Sequence, residues 1–304
     1  MVTISAKPGP SDSFTDIDGL RVGQAHDAAV RTGVTVILPD APVAMGVDVR
    51  GGGPGTRDTD ALDPTCLVDK VHGLVLSGGS VFGLAAADGV AAALSERGIG
   101  LPLGPRAVPV VPSAILFDLM NGGDKDWGTE PPYRRLGVQA LDAVSVDVTE
   151  GAAGAGYGAR AGGRAGGIGT ASLVTDDGLM VAAIVAVNSF GAVMDGTPEH
   201  GTVDLPKLGL VGANTTIGAV ATNLTLDKAA CTRLAIMAQD GFARAIRPIH
   251  TPFDGDTIFA MSTGAKPLDG PLAPVMAVLG TLSADCMVRA IGKAVKAAGV
   301  TTGA

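Results

Sequence analysis

Apolar residues recur along the chain with two different periods, and each period predicts a different kind of element. Short runs of aliphatic and β-branched residues, bounded by Gly, Pro, Asn or Asp, predict buried strands. These runs cover residues 34–38, 72–76, 179–187, 215–223 and 258–261. Alternating apolar positions at 45, 47 and 49 predict one more strand. Residues 108–111 predict an edge strand, because Pro109 cannot donate to a central ladder.

Three other segments have apolar residues at helical spacing. They predict helices that begin at Ser80, just after Asp227, and near Pro274. Ser80 and Asp227 suit helix starts because their side chains can cap free N–H groups. Residues 1–15 are expected to form a loose tail, and residues 194–208 a polar, exposed linker.

The composition favours a layered fold. The chain has 304 residues, of which 46% are hydrophobic and 45 are Gly, but only 3% are aromatic. The core is therefore built from Ala, Val, Leu and Ile and packs closely through small residues, which is typical of layered α/β packing.

Charge and cysteine content exclude several function classes. The net charge is −8 and no basic run exists, so nucleic acid is not an expected partner. The three cysteines are widely spaced, which excludes a disulfide framework and favours a cytoplasmic location. Residues 1–19 lack a hydrophobic signal region, and the apolar runs are interrupted before they reach membrane-spanning length. The sequence has neither CxxC nor HExxH, so no metal or other cofactor is expected.

Three glycine-rich segments invite a ligand-binding interpretation. Residues 51–56 lack the Lys-Ser/Thr ending of a phosphate-binding loop, which favours a simple turn. Ser77-Gly78-Gly79-Ser80 follows a strand and precedes a helix, so it suits either anion binding or tight packing. Gly154-Ala155-Gly156 suggests a dinucleotide fingerprint, but a helix with this glycine content is unfavourable. Close backbone approach is the better explanation there.

The stretch that opens the 215–223 strand offers a specific chemistry. Asn214 precedes Thr215, whose hydroxyl can attack the Asn214 carbonyl and cut the chain. The cut would expose an N-terminal Thr with its own α-amine, which has an ordinary pKa of about 7.7–8.0 and can serve as the base. On this pattern alone, a turn that leads into a strand is the simpler interpretation.

Two other polar or aromatic positions stand out. Asn188 ends a buried strand, where its amide is satisfied by a turn or donates to an oxyanion. Trp127 is the only Trp and lies in a Gly/Asp loop, where it lines a pocket or a subunit contact, or anchors packing.

Several short motifs, taken together, resemble those of DmpA-type N-terminal-nucleophile hydrolases, which include β-peptidyl aminopeptidases and nylon-oligomer hydrolases. The motifs are Ser77-Gly78-Gly79-Ser80, Gly166-Gly167-Ile168-Gly169-Thr170-Ala171-Ser172, Val187-Asn188, Ala221-Thr222-Asn223 and Asp254-Gly255-Asp256-Thr257. The resemblance covers nearly the whole chain. It implies an α+β fold, a four-layer αββα sandwich, as one domain over residues 1–304 that is cut into 1–214 and 215–304.

The resemblance also implies roles for individual residues. Thr215 is the expected nucleophile, Asp254 and Asp256 are expected to hold its amine and hydroxyl, and Asn188 is expected to stabilise the oxyanion. Asn214 is the expected cleavage position.

Substrate contacts are expected from Ser77, Gly78, Gly79, Tyr133 and Arg164. Tyr133 corresponds to a family active-site Tyr. One departure concerns Ala165, which occupies the position of a family Lys. Arg164 lies one residue earlier, but an Arg cannot act as a base.

The resulting hypothesis is a self-cleaving amidohydrolase that acts on linear amides, in the manner of the 6-aminohexanoate-oligomer endohydrolases. The resemblance implies a homo-oligomer, a tetramer of processed pairs. Three alternatives remain open: an aminopeptidase for β- or D-amino-acid peptides, a related Thr-nucleophile acyltransferase, and a non-enzymatic binding protein.

Overall fold

The computed structural model describes residues 3–196, 201 and 214–301. Its strands, in chain order, are β1 (Ala6–Pro8), β2 (Leu20–Asp27), β3 (Thr32–Pro39), β4 (Ala44–Val49), β5 (Thr56–Arg57), β6 (Leu74–Ser77), β7 (Ser113–Ile115), β8 (Arg160–Ala161), β9 (Arg164–Ala165), β10 (Gly167–Thr175), β11 (Met180–Asn188), β12 (Ala192–Val193), β13 (Thr215–Leu224), β14 (Ile246–Arg247) and β15 (Thr257–Lys266). The helices are α1 (Ala85–Glu96), α2 (Tyr133–Asp142), α3 (Lys228–Ala245) and α4 (Leu272–Thr301).

Two sheets form the framework. The larger sheet has six strands in the order β1-β10-β11-β13-β15-β4, and the smaller has five in the order β2-β3-β6-β7-β5. In the larger sheet β13 pairs antiparallel with β11 and parallel with β15. The strand that opens on Thr215 therefore lies near the middle of the sheet.

The alternation of side chains across β11 shows how the layers arise, because successive residues of a strand point to opposite faces. Ile184 packs into the core between the two sheets. Its neighbour Val185 packs into the core beneath α3 and α4. In the smaller sheet, Ile37 faces the inter-sheet core while Val36 faces α1 and α2. The order of layers is helices, sheet, sheet, helices, which confirms the predicted αββα sandwich.

Most sequence-predicted elements are present, with corrections at three places. The expected loose tail of residues 1–15 contains the strand β1, which pairs with β10. The strand predicted at 108–111 is wrong, since the strand β7 forms later, at Ser113–Ile115. The helix expected from Ser80 begins with a 3-10 turn, Ser80–Leu84, and no side chain caps it. Residues 197–200 and 202–208 of the predicted linker lie outside the described residues.

The glycine-rich segment 151–172 serves close packing. Gly154–Gly156 is a buried 3-10 turn against β3, where the Ala155 N–H donates to the Thr35 hydroxyl at 3.0 Å. Gly169 lies so close to α4 that an added Cβ would be 2.1 Å from the Ala290 carbonyl oxygen. Backbone approach, rather than a dinucleotide fingerprint, explains the glycines.

Helix α4 is the only helix in the described part of the chain that is long and apolar enough to cross a membrane. The same property is expected of a core helix, and half of its apolar window is buried. Here the helix packs along β10, β11 and α3.

The three cysteines are free. Cys231 and Cys286 are buried, and burial raises the pKa of each thiol to about 12. Cys66 is exposed.

Candidate active site

Four strand ends meet at one edge of the larger sheet. Strands β13 and β15 are parallel, so both begin there, while the antiparallel strands β11 and β4 end there. Thr215 is the first residue of β13 and pairs directly with Asn188, the last residue of β11. Asp254, Gly255 and Asp256 immediately precede β15. The topology thus brings together residues that are 66 positions apart.

The hydroxyl of Thr215 is held by backbone. Its Oγ1 accepts a hydrogen bond from the Gly255 N–H at 2.9 Å, and the residue is 2% exposed. A Cβ at position 255 would lie 2.9 Å from Thr215 Oγ1 and 2.6 Å from the Gly53 carbonyl oxygen. Glycine at this position therefore allows the close approach that positions the hydroxyl.

Asp254 is fully buried and is held by three donors. Its Oδ1 accepts from the Phe190 N–H at 3.1 Å, and its Oδ2 accepts from the Thr251 hydroxyl at 2.6 Å and from the Thr251 N–H. Burial, and then the negative charge of Asp256, raise the pKa of Asp254 to about 6.

Asp256 is equally buried and faces the residue after the candidate nucleophile. Its Oδ1 accepts from the Thr216 N–H at 2.8 Å. Its Oδ2 lies 2.9 Å from both the backbone nitrogen and the Nδ1 of His250. The Thr215 hydroxyl is thus bonded to the Gly255 amide that lies between the two carboxylates. The role expected for Asp254 and Asp256 at the Thr215 amine stays a prediction.

Both the oxygen and the nitrogen of the Asn188 side-chain amide form hydrogen bonds with the backbone. Its Oδ1 accepts from the Arg160 N–H at 2.9 Å, and its Nδ2 donates to the Phe117 carbonyl at 2.8 Å. An amide nitrogen has two hydrogens, so one donor remains. The predicted oxyanion contact is available to it and stays a prediction.

The Ser77-Gly78-Gly79-Ser80 loop packs against a buried polar cluster. The Gly79 N–H donates to Asp118 Oδ1, and the Gly78 and Ser80 N–H groups bond to backbone carbonyls. A Cβ at position 79 would be 2.0 Å from the Tyr133 ring. These contacts explain the two glycines by packing, and they use the N–H groups that anion binding would need.

Tyr133 is buried beside this loop, and burial raises the pKa of its hydroxyl. The hydroxyl has no hydrogen-bond partner within the described residues. The Tyr133 ring packs edge-on against Trp127, which in turn contacts Phe82. Trp127 is therefore part of an aromatic cluster next to the glycine loop. The predicted substrate contacts of Ser77, Gly78, Gly79 and Tyr133 stay predictions.

Arg164 lies in a separate element, whose residue Arg160 donates its N–H to Asn188. It is in the two-stranded ribbon of β8 and β9 and forms an ion pair with Asp195 at 3.5 Å. Both side chains are highly exposed, at 79% and 86%. No contact within the described residues joins Arg164 to Thr215, and the predicted substrate role of Arg164 stays a prediction.

The sequence reasoning missed two groups that hold the site together. One is His250, whose ring contacts Asp256, and its only signal in the sequence is its position four residues before the Asp-Gly-Asp motif. Gly51–Gly53 follow β4 and press against the Asp254–Asp256 loop, and the Gly53 N–H donates to the Asp254 carbonyl at 2.8 Å. A Cβ at position 51 would lie 2.3 Å from the same carbonyl oxygen. Residues 51–53, which the sequence suggested to be a simple turn, therefore support the loop that carries both carboxylates.

Within the described residues, no group of three His, Cys, Asp or Glu side chains is arranged to hold a metal ion. The arrangement therefore offers a hydroxyl, two buried carboxylates and an amide donor at one sheet edge, the set of groups that acyl transfer to a hydroxyl requires.

The four-layer architecture is that of the N-terminal-nucleophile hydrolases. The L-aminopeptidase D-Ala-esterase/amidase of Ochrobactrum anthropi, described as a variant of that fold, superposes with a TM-score of 0.76. The two sequences are 24% identical, and the match covers 98% of this chain and 89% of the other.

Sequence comparison defines the family. Residues 12–304 match the model of peptidase family S58, and the chain belongs to that family of amide-hydrolysing enzymes. An uncharacterised aminopeptidase of Mycobacterium leprae is 42% identical, over 95% of this chain and 91% of its own length. A 6-aminohexanoate-oligomer endohydrolase of a Kocuria species is 31% identical, over 92% of this chain and 85% of its own length.

Proposed function

We propose that the protein is a self-processing amidohydrolase in which Thr215 is the nucleophile. The observation that carries the proposal is the Thr215 hydroxyl, buried at a strand start, bonded to Gly255 and flanked by Asn188 and two buried Asp residues. Membership of peptidase family S58 supports hydrolysis of an amide bond.

The first reaction is cleavage between Asn214 and Thr215. The Thr215 Oγ1 attacks the Asn214 carbonyl carbon, the C–N bond breaks as the hydroxyl proton passes to the departing nitrogen, and the resulting ester is hydrolysed by water. The products are an Asn214 carboxylate and a free α-amine on Thr215. This amine, with an ordinary pKa of about 7.7–8.0, then takes the hydroxyl proton during attack on a substrate amide.

The surrounding groups supply the rest of the chemistry. Asp254 and Asp256 orient the new α-amine, which is the base in its neutral form. The remaining N–H of Asn188 donates to the oxyanion, a contact that typically contributes about 2.7–4 kcal/mol to transition-state stabilisation. The proton passes to the leaving amine, and water hydrolyses the acyl ester on Thr215.

The substrate class is a linear amide. The endohydrolase relative supports an unbranched oligomer of ω-amino acids. The more similar relative is named an aminopeptidase, which supports removal of single N-terminal residues as the second candidate. A linear trimer with a free or an acetylated N-terminus distinguishes the two, because an aminopeptidase needs the free amine and releases one residue at a time.

Intact-mass analysis tests the self-processing step. The 30.1-kDa chain should yield fragments of about 21 and 9 kDa when cut after residue 214. Thr215→Ala should stay whole. Thr216→Val is the matched control, because it removes the neighbouring hydroxyl, which has no partner within the described residues. This control should still be cut. A wild-type chain that stays whole under all conditions would exclude the proposed base.

A further inference from the structure

His250 makes an unusual double contact with one carboxylate oxygen. Its backbone nitrogen and its ring Nδ1 each lie 2.9 Å from Asp256 Oδ2. The other oxygen, Oδ1, accepts from the Thr216 N–H at 2.8 Å. Two of the three donors on Asp256 therefore come from a single residue.

The acceptor defines the protonation of the ring. With Asp256 ionised, its Oδ2 only accepts hydrogen bonds, so the contact requires a proton on Nδ1 of His250. The ring is thereby restricted to the Nδ1–H form or to the imidazolium. In either case its donor points at Asp256 and its orientation is set by that contact.

Two unfavourable features coincide at His250. Its φ is +56°, a left-handed conformation that few non-glycine residues adopt. Its Nε2 is buried without a hydrogen-bond partner within the described residues. Each feature costs free energy, and such costs persist where the surrounding structure requires them. Both are offset here by the contacts with Asp256.

We propose that His250 is a positioning residue that fixes the Asp256 carboxylate in the orientation needed at the start of β13. This inference rests on the proposed role of Thr215. Asp256 carries no basic partner from Lys or Arg among the contacts described, and the buried carboxylate of Asp254 lies two residues away. Without the imidazole, each oxygen of Asp256 keeps one backbone donor, and the only side-chain contact within the described residues that orients the carboxylate is lost.

Two variants separate positioning from backbone strain. Asn places its amide Nδ2 at the same side-chain position as the His Nδ1 and tolerates a positive φ. Gly tolerates the same backbone but has no side-chain donor.

His250→Gly should slow self-cleavage about 10- to 100-fold, the range for loss of a hydrogen bond to a charged group. It should lower kcat for amide hydrolysis by a similar factor, with little change in KM. His250→Asn should stay within about threefold of the wild type, since the donor is retained.

A second readout does not depend on activity. Nitrogen NMR of the imidazole rings reports which nitrogen bears the proton, and loss of one signal in His250→Asn assigns His250 among the four histidines. The proposal requires a protonated Nδ1. A neutral ring protonated only on Nε2 would overturn it.

The possible failures are distinguishable. If the wild type is cut and His250→Gly is cut at the same rate, with circular dichroism showing both folded, His250 does not position the site. If the wild type itself stays whole, the proposed function fails, and the NMR result alone decides whether His250 holds Asp256.

Discussion

At the scale of single residues, the site depends on backbone donors that glycine makes available. The Thr215 hydroxyl is bonded to the Gly255 N–H, and this loop is supported in turn by Gly51–Gly53. Side chains in these places would separate the two loops. The hydroxyl of the proposed nucleophile is thus positioned by a backbone N–H that two loops, packed together through their glycines, bring into contact with it.

Gly255→Ala should abolish most self-cleavage while leaving the fold intact. The new methyl would lie 2.6 Å from the Gly53 carbonyl oxygen and 2.9 Å from Thr215 Oγ1, so the loop must move. A displacement of about 1 Å commonly costs on the order of 100-fold in rate. Gly104→Ala is the control, because no atom lies within 4 Å of its added Cβ. The fraction cut over time, measured by mass spectrometry, checks the prediction, and equal rates for both variants would contradict it.

The raised pKa of Asp254 predicts a pH dependence of stability. In the unfolded chain this carboxyl ionises at about pH 3.9, whereas in the folded protein burial moves the pKa to about 6. The folded state therefore binds the proton more tightly. The resulting contribution to stability is complete below about pH 3.9 and is lost as the pH rises through about 6.

Urea unfolding of the wild type and Asp254→Asn between pH 4 and pH 7 measures this contribution. The wild type should lose stability relative to the variant across that interval, and the difference should level off above about pH 7. Asp269→Asn, at an exposed position, is the control. A difference between wild type and Asp254→Asn that is independent of pH would show that Asp254 does not titrate in this range.

At the scale of elements, one seam between a strand and a helix explains the glycine-rich segment. Glycines of β10 lie against the backbone of α4, where Gly167 faces Ala294 and Gly169 faces Ala290. Small residues on both sides let the strand and helix approach closely. The seam supports the sheet that carries Thr215.

Gly169→Ala should destabilise the protein by about 1–3 kcal/mol or more, as overpacking does. Its Cβ would lie 2.1 Å from the Ala290 carbonyl oxygen, and backbone cannot yield as a flexible side chain does. Gly292→Ala is the matched control on α4, because its added Cβ meets nothing within 4 Å. That change should stabilise by about 0.5–1 kcal/mol through helix propensity. Equilibrium unfolding in urea measures both, and a neutral Gly169→Ala would contradict the proposed seam.

The sequence predicted the elements whose periodicity is strong, and it missed those defined by contacts. Strands β3, β11 and β13 follow from their apolar runs, and α3 follows from its Asp227 cap. Strand β10 was not predicted, because its glycines have low strand propensity. The reason for these glycines is their close contact with α4, which the sequence alone does not show.

The residues of the candidate site also fall into those that sequence motifs predicted and those that only contacts in the fold identify. The motifs that resemble the family named Asn188, Thr215, Asp254 and Asp256, and the fold brings these to one sheet edge. His250 and Gly51–Gly53 act through contacts with the Asp254–Asp256 loop, and no local pattern specifies such contacts.

At the scale of the whole molecule, the proposed cut would separate strands that belong to one sheet. β13 and β15 come from the segment after Thr215, whereas β11 and β4 on either side come from the segment before it. After cleavage, both fragments should therefore remain bound through two full strand pairings and the core beneath α3 and α4.

Size-exclusion chromatography of the cleaved protein tests this association. The fragments of about 21 and 9 kDa should elute together in native buffer and separate only in denaturant. Light scattering on the same peak tests the proposed tetramer of processed pairs. Separate elution of the small fragment in native buffer would contradict the pairing of β13 with β11.

The sheet order also constrains how such a molecule can be made. A polypeptide of residues 1–214 alone would contain β11 and β4 but not β13 and β15, the two strands that lie between them in the sheet. Neighbouring strands are about 4.8 Å apart, so β11 and β4 in their native positions are separated by about 14 Å and cannot pair with each other. A gene divided at this position would yield two translation products, one with four strands of the larger sheet and the other with two. If the chain is cut as proposed, it should therefore fold as one continuous polypeptide first, with β13 and β15 in place before the peptide bond before Thr215 is broken.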